Sequence, residues 1–361
     1  MKNRLYIAFA IMLMVCVACT KHTIDSTQPV PDSSRSYIFF EPEVLESVKT
    51  KSETELRYVN LSDIGDDAFG VMGYYDGAPL FQHDSYKFST DARGTGWIAR
   101  VYPSEGVYSY DYLQPWMSSD EHTFYAFYPY TGMKDNVCIE NGSPYILYNS
   151  DTDSGIDVLT DALTTTKTAT GAARFDLRHR LCALDLKIVN QQAVVNGETT
   201  TYPSLVLKKV ELDVQIPAGG KIYLADSDDI VLNKTTDDPT KVAYITKTFT
   251  LRNESATIAS LTSENNFAVY GPVLFLPGGG LKYRVKITYE NALGQDDNFA
   301  FPAAANTYRE ADATFVAGSR YTLTINRTAD TFVTGSYEDP DGSGSLQAGA
   351  WKDVTVPHTF N

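Results

Sequence analysis

Apolar residues recur at every second position along much of the chain. Val210, Leu212, Val214 and Ile216 share one face of an extended segment. Tyr283, Val285, Ile287 and Tyr289 share another, and Tyr321, Leu323 and Ile325 a third. A period of two predicts half-buried strands. Residues 124–128 (FYAFY) and 273–276 are short unbroken apolar runs, the pattern of strands covered on both faces. Between 175 and 188 the phase reverses. Phe175, Leu177, His179 and Leu181 keep one parity, and Cys182, Leu184, Leu186 and Ile188 the other. A bulge or a strand crossing does this, because one extra residue flips every side chain that follows.

Turn chemistry separates these segments. Asp76-Gly77, Asn141-Gly142, Asn196-Gly197, Gly219-Gly220, Gly278-Gly279-Gly280 and Asp341-Gly342 are hairpin or turn signals. Helical periods are scarce, and the best short helix is 155–163 (GIDVLTDAL), with Val158, Leu159 and Ala162 toward the core. The expectation is an all-β chain of two tandem β-sandwich domains. The polar stretch 190–202 divides them, giving an N-terminal domain over 36–192 and a C-terminal one over 200–361.

The first residues read differently. Lys2 and Arg4 precede an apolar run that ends at Ala18-Cys19. This is a secretory signal over 1–18, too short to span a bilayer. A cysteine placed directly after it makes Cys19 the candidate lipidation site, and residues 19–35 a polar tether. An unmodified Cys19 after an ordinary signal is the alternative. The net charge of −15 argues against nucleic acid as a partner. Export permits a bridge between Cys138 and Cys182, but their spacing does not decide whether it forms.

Catalytic patterns are absent from the sequence. The acidic pairs Asp66-Asp67, Asp151/Asp153 and Asp226/Asp228-Asp229 sit beside Gly or Ser and read as solvated turns. No spacing of His and Cys makes a zinc site, so neither metal nor cofactor is expected. His179 reads as a hydrogen-bonded core residue. Tyr74, Tyr75, Tyr108, Tyr110, Tyr112 and Trp116 form an aromatic tract that stacks on sugars, fills a sandwich core or packs at a subunit interface.

Taken in order, several segments resemble the fimbrillin family of Bacteroidetes-type surface pili. Residues 68–75 (AFGVMGYY) are similar to its F-x-V-x-A-Y strand, and 124–129 (FYAFYP) to Y-x-F-x-A-Y-Y-P. Asp157, Val158, Leu159 and Ala162 are similar to D-L-L-x-A, 175–181 (FDLRHRL) to L-x-F-x-H-x-L, and 318–323 (GSRYTL) to G-x-x-Y-x-L. Trp351 resembles a terminal tryptophan, behind a longer tail than usual. The resemblance implies transthyretin-like sandwiches and a non-enzymatic subunit of a fimbrium, exported as an outer-membrane lipoprotein to the cell surface. It further implies cleavage after a basic residue behind the first strand. Head-to-tail strand exchange with other fimbrial subunits would follow.

On that reading Tyr37, Ile38, Phe39 and Phe40 form the removable strand. Lys49, Lys51 and Arg57 are processing candidates in a polar loop behind it. The donor strand lies in 330–337 or 351–360, the latter presenting Trp351, Val354, Val356 and Phe360. Host or bacterial surface ligands are possible further partners, and the membrane is reached through the lipid only. The alternative is a surface glycan-binding lipoprotein that stacks sugars on residues 108–116.

Overall fold

Strands paired in sequence do not always lie flat beside one another in space. The computed structural model describes residues 36–49, 54–60, 67–82, 86–88, 96–104, 107–110, 113–168, 171–190, 193–195, 198–200, 204–225, 230–258, 267–278, 280–291, 293–311, 315–327, 332–334 and 352–355. The largest sheet runs in the order Thr54–Asn60, Phe39–Lys49, Ala172–His179, Leu159–Thr165, His122–Tyr128, Phe69–Tyr75, Gly96–Ser104, Tyr86–Phe88. Leu159–Thr165 meets Ala172–His179 at two register positions, Leu159 with His179 and Thr160 with Arg178.

Beyond those positions the sheet folds over. Phe40 and Phe124 stand three strands apart, which in a flat sheet is about 14 Å. Their rings are 5.8 Å apart, and those of Phe69 and Phe175 are 6.3 Å apart. The two leaves therefore face each other as a sandwich. Ile38, Phe40, Val44, Phe175 and Leu177 on one side meet Phe69, Val71, Phe124 and Ala126 on the other.

The outer face of the second leaf is covered as well. Met72, Ile98 and Phe127 pack against Ile146, Tyr148 and Ile222. These belong to a four-stranded sheet of Val137–Glu140, Ser143–Asn149, Gly219–Tyr223 and Ile230–Leu232. This explains the unbroken FYAFY run, whose strand is buried on both faces. Hydrogen bonding thus links Ser143–Asn149 to Gly219–Tyr223, a strand that follows the polar loop near 200.

The remaining sandwich joins Phe267–Phe275, Cys182–Asn190 and Ser319–Arg327 to a sheet of Tyr244–Arg252, Leu205–Pro217, Lys282–Glu290 and Asp296–Phe301. All three alternating faces read from the sequence turn inward here, with Tyr289 only partly buried. The phase reversal is a passage between sheets. Ala172–His179 ends in the first sandwich and Cys182–Asn190 begins in the second. The linking Arg180 is buried, with its N–H donating to the Val158 carbonyl at 2.8 Å.

Two local expectations fail. The segment 155–163 is not helical. Leu159–Thr165 is a strand that pairs with His122–Tyr128 from Leu159/Tyr128 to Thr165/His122. Leu159 and Leu163 lie two apart twice over, so the segment also carries a period of two, and an apolar strand edge was there to receive it. The one α-helix among the described residues is Tyr130–Met133. Gly219-Gly220 is not a turn but the start of a strand. A Cβ on Gly219 would lie 2.6 Å from the Tyr148 carbonyl oxygen, so these glycines serve close strand approach. Asp76-Gly77 and Asn141-Gly142 do turn, with positive φ at all four residues.

Candidate functional site

The first strand is longer than its apolar start suggests. It runs Phe39–Lys49, preceded by a bridge from Tyr37 to Pro115. Phe39 to Val44 pair in parallel with Ala172 to Leu177. Glu43 to Lys49 also pair antiparallel with Asn60 to Thr54. The expected loop carrying Lys49 and Arg57 is therefore a hairpin. Lys49 faces Thr54 and Arg57 faces Glu46 across its ladder. Polar residues at strand positions are compatible with an edge, which is why a polar stretch there gave no sign of pairing. Lys51 lies outside the described residues, as does Cys19.

Side chains of this strand alternate in and out. Ile38, Phe40 and Val44 are buried, whereas Phe39 is 38% exposed. Of the four residues read as the removable strand, Ile38 and Phe40 carry the burial. The Phe40 ring sits among those of Phe69, Phe81, Tyr110, Phe124 and Phe175, with centroids 5.5–6.4 Å away. Removing the strand would open a groove lined by these rings and leave the Ala172–His179 ladder unmatched.

Of the aromatic tract, Tyr110 and Trp116 belong to this core and Tyr75 packs against it, Tyr74 packs on the other face of its sheet, and the Tyr108 side chain and Tyr112 lie outside the described residues. Tyr110 and Trp116 are buried, so neither offers a face for a sugar. The Tyr110 hydroxyl donates to the Ile38 carbonyl at 2.8 Å. Trp116 Nε1–H donates to the Gly171 carbonyl at 3.3 Å. The stacking platform of the alternative reading is thus absent at both positions. Nothing in the periodicity singled out Gln114 or Gly171, which also touch the first strand through main-chain bonds.

Two short tail segments lie along one edge of the second sandwich. Phe332–Thr334 pairs antiparallel with Arg327 to Ile325, and Lys352–Thr355 pairs parallel with Ser319 to Thr322. Val354 stands opposite Tyr321 in this ladder. Trp351, Val356 and Phe360 lie outside the described residues.

Of the acidic pairs, Asp67 and Asp153 have structural partners, while Asp66, Asp226, Asp228 and Asp229 lie outside the described residues. Asp67 accepts from the Ala68 and Thr131 N–H groups at 2.8 and 3.0 Å. Asp153 accepts from the Asn149 N–H at 2.9 Å. His179 Nδ1 lies 2.8 Å from Asp157 Oδ2 inside the fold. Cys138 and Cys182 are both buried and free rather than bridged, and burial pushes the Cys182 thiol up. Asp161 stands where the two leaves part, accepting from the Asp176 N–H at 2.8 Å. Burial, helped by the Asp176 charge, pushes its carboxyl up to about 6. Among the described residues no three His, Cys, Asp or Glu side chains group as a metal site.

Several solved structures are similar to this chain. A protein described as a cell adhesion protein of Bacteroides uniformis is 14% identical with a TM-score of 0.45, over 85% of this chain and 97% of its own. A fimbrial protein of Bacteroides ovatus is 12% identical with a TM-score of 0.36, over 89% of this chain and 50% of its own. A fimbrial assembly protein of Parabacteroides distasonis is 11% identical with a TM-score of 0.33, over 82% and 93%. No curated protein matches the chain. The family model described as fimbrillin-like matches residues 64–338, about three quarters of the sequence, and the chain belongs to that family.

Proposed function

We propose that this protein is a structural or adhesive subunit of a surface fimbrium, without catalysis. It is exported as a lipoprotein through Cys19 and held at the outer membrane. Cleavage behind the first strand releases the anchor, and a strand from a neighbouring subunit then fills the groove. The observation that carries this reading is the placement of residues 38–44. They supply Ile38, Phe40 and Val44 to the core and a full parallel ladder to Ala172–Leu177. They are also joined to the rest of the chain at their carboxyl end alone once the tether is free. Excision would leave an apolar groove and an unpaired edge, an unstable pair of features that an added strand cures together. Because donor and acceptor surfaces differ, the contact propagates head to tail into an open filament.

The tail beyond Arg327 is the donor on this reading. Its short pairings on the edge of Ser319–Arg327 involve seven residues in two pieces, against an unbroken six-residue ladder for Phe39 to Val44. The test is limited tryptic digestion of the lipid-free protein followed by gel analysis without boiling. A shortened core that forms ladders is expected. A core that is shortened and stays monomeric at high concentration overturns strand exchange.

A further inference from the structure

The first strand changes partners part-way along. Over Ser36 to Ile38 it lies antiparallel to Gln114, Pro115 and Trp116. The Ile38 N–H donates to the Gln114 carbonyl at 2.9 Å, and the Trp116 N–H donates to the Ser36 carbonyl at 3.1 Å. At Phe39 the pairing passes to the other neighbour. The Phe39 N–H donates to the Gly171 carbonyl at 2.9 Å, and the parallel ladder begins at Ala172.

Two buried side chains and one glycine lock this changeover. The Tyr110 hydroxyl donates to the Ile38 carbonyl at 2.8 Å and accepts from the Gln114 N–H at 3.1 Å. One phenol therefore ties the strand to the segment that grips it. Trp116 Nε1–H reaches the same Gly171 carbonyl that holds Phe39. Gly171 has φ of +78°, and a Cβ there would lie 2.5 Å from the Tyr37 carbonyl oxygen. A side chain at 171 would collide with the main chain of the strand, and its backbone conformation favours glycine independently.

We infer that Tyr110, Gln114, Trp116 and Gly171 form a clasp that fixes the register of whatever strand occupies the groove and limits how fast it leaves. The inference rests on the strand-exchange reading above for its biological use, but the clasp itself is a property of the isolated subunit. Its partner is an extended segment of a second copy of this chain. Such a segment must pass Gly171 with its main chain at one residue and place apolar side chains on either side of that residue. Ile38 and Phe40 do this here, buried to either side of the half-exposed Phe39. Slipping by one residue would put those side chains outward. The clasp reads the backbone, and the two pockets read the side chains.

The test uses the full chain carrying Tyr110→Phe and Trp116→Phe together. Each position keeps a six-membered aromatic ring, Trp116 is trimmed by its pyrrole ring, and the hydroxyl and indole N–H bonds are lost. Native-state hydrogen exchange is then read amide by amide. Exchange at Ile38 and Phe39 is expected to accelerate about tenfold or more, since three hydrogen bonds disappear. Amides of 124–128 and 175–177 should keep the original rates. Equal acceleration everywhere would mean general destabilisation, and no acceleration would mean no clasp; either overturns the inference. Gly171→Ala is the second variant, with the same selective pattern expected. In tryptic ladder formation both variants should polymerise faster than the unaltered protein. Open amides with an unchanged ladder rate would refute control of strand release. Selective opening with no ladders from any form would leave the clasp standing and remove the fimbrial-exchange reading instead.

Discussion

Phe40→Ala tests the importance of the first strand to the core. The ring is 2% exposed and contacts five other aromatic rings. Truncating a buried Phe to Ala costs about 3–5 kcal/mol, and more where the surroundings cannot collapse. Rings held on both leaves of a sandwich cannot easily close on the void, so the upper end, about 5 kcal/mol, is expected. That is a large part of a domain's stability of about 5–15 kcal/mol. At about 2–4 °C per kcal/mol, the melting temperature should fall by about 10–20 °C. Differential scanning calorimetry of the purified protein measures it, with near-ultraviolet circular dichroism reporting the aromatic cluster directly. Phe39→Ala is the control, one residue away and 38% exposed. It should cost within about 1 kcal/mol. If the two variants melt within about 2 °C of each other, the inward–outward assignment of the strand is wrong.

Three further outcomes follow from other contacts. Burial raises the Asp161 carboxyl to about 6 in the folded chain from 3.8. The folded state therefore binds the proton more tightly, and stability rises as pH falls from about 7 to about 4, by about 2–3 kcal/mol. Asp161→Asn, which keeps an acceptor for the Asp176 N–H, should flatten that rise in urea titrations across pH, and an unchanged slope refutes the assignment. Arg320→Met strands the buried Asp185 carboxylate, which Arg320 holds through bonds of 2.6 and 3.2 Å. A loss of about 2–3 kcal/mol is expected, largely recovered by adding Asp185→Leu, and chemical denaturation of both variants checks this. In protein lacking the first 19 residues, Ellman's reagent should find no fast thiol when folded and two when unfolded, with or without reductant, because Cys138 and Cys182 are buried and free.

What sequence could reveal here was local and periodic. Period two gave the three inner faces of the second sandwich because each strand there has one wet and one dry side. The reversal at Leu181–Cys182 was legible for the same reason, since a change of sheet must change the parity of burial. The fold-over of the first sheet was not legible. It depends on two strands meeting at only two positions, which is a fact about their distant partners. The segment 155–163 fits a helical period through Val158, Leu159 and Ala162 and a period of two through Leu159 and Leu163, and the edge of His122–Tyr128 decides for the strand. Among the site residues, Ile38 and Phe40 could be read from hydrophobicity. Gln114 and Gly171 could not, because they act through main-chain atoms, and a main chain leaves no signature in side-chain pattern.

The hairpin behind the first strand narrows the expected processing point. A cut after Lys49 or Lys51 would remove Phe39–Lys49 and leave Thr54–Asn60 behind. That strand is last in the sheet order, and its ladder runs to the first strand. Its backbone groups would lose every partner in the sheet at once, an orphaned edge of seven residues. A cut after Arg57 carries Thr54 to Arg57 away with the first strand, and only Tyr58 to Asn60 of that strand remain. Among the described residues no further strand pairs with the outer side of Thr54–Asn60, so its main chain offers an edge to a protease that binds extended chain. Processing is therefore expected after Arg57, giving a mature chain that begins at Tyr58. Amino-terminal sequencing of the filament form decides it: a start at Thr50 or Ser52 would show that the hairpin is opened at its turn instead, and that the stranded Thr54–Asn60 finds a new partner in the assembled filament.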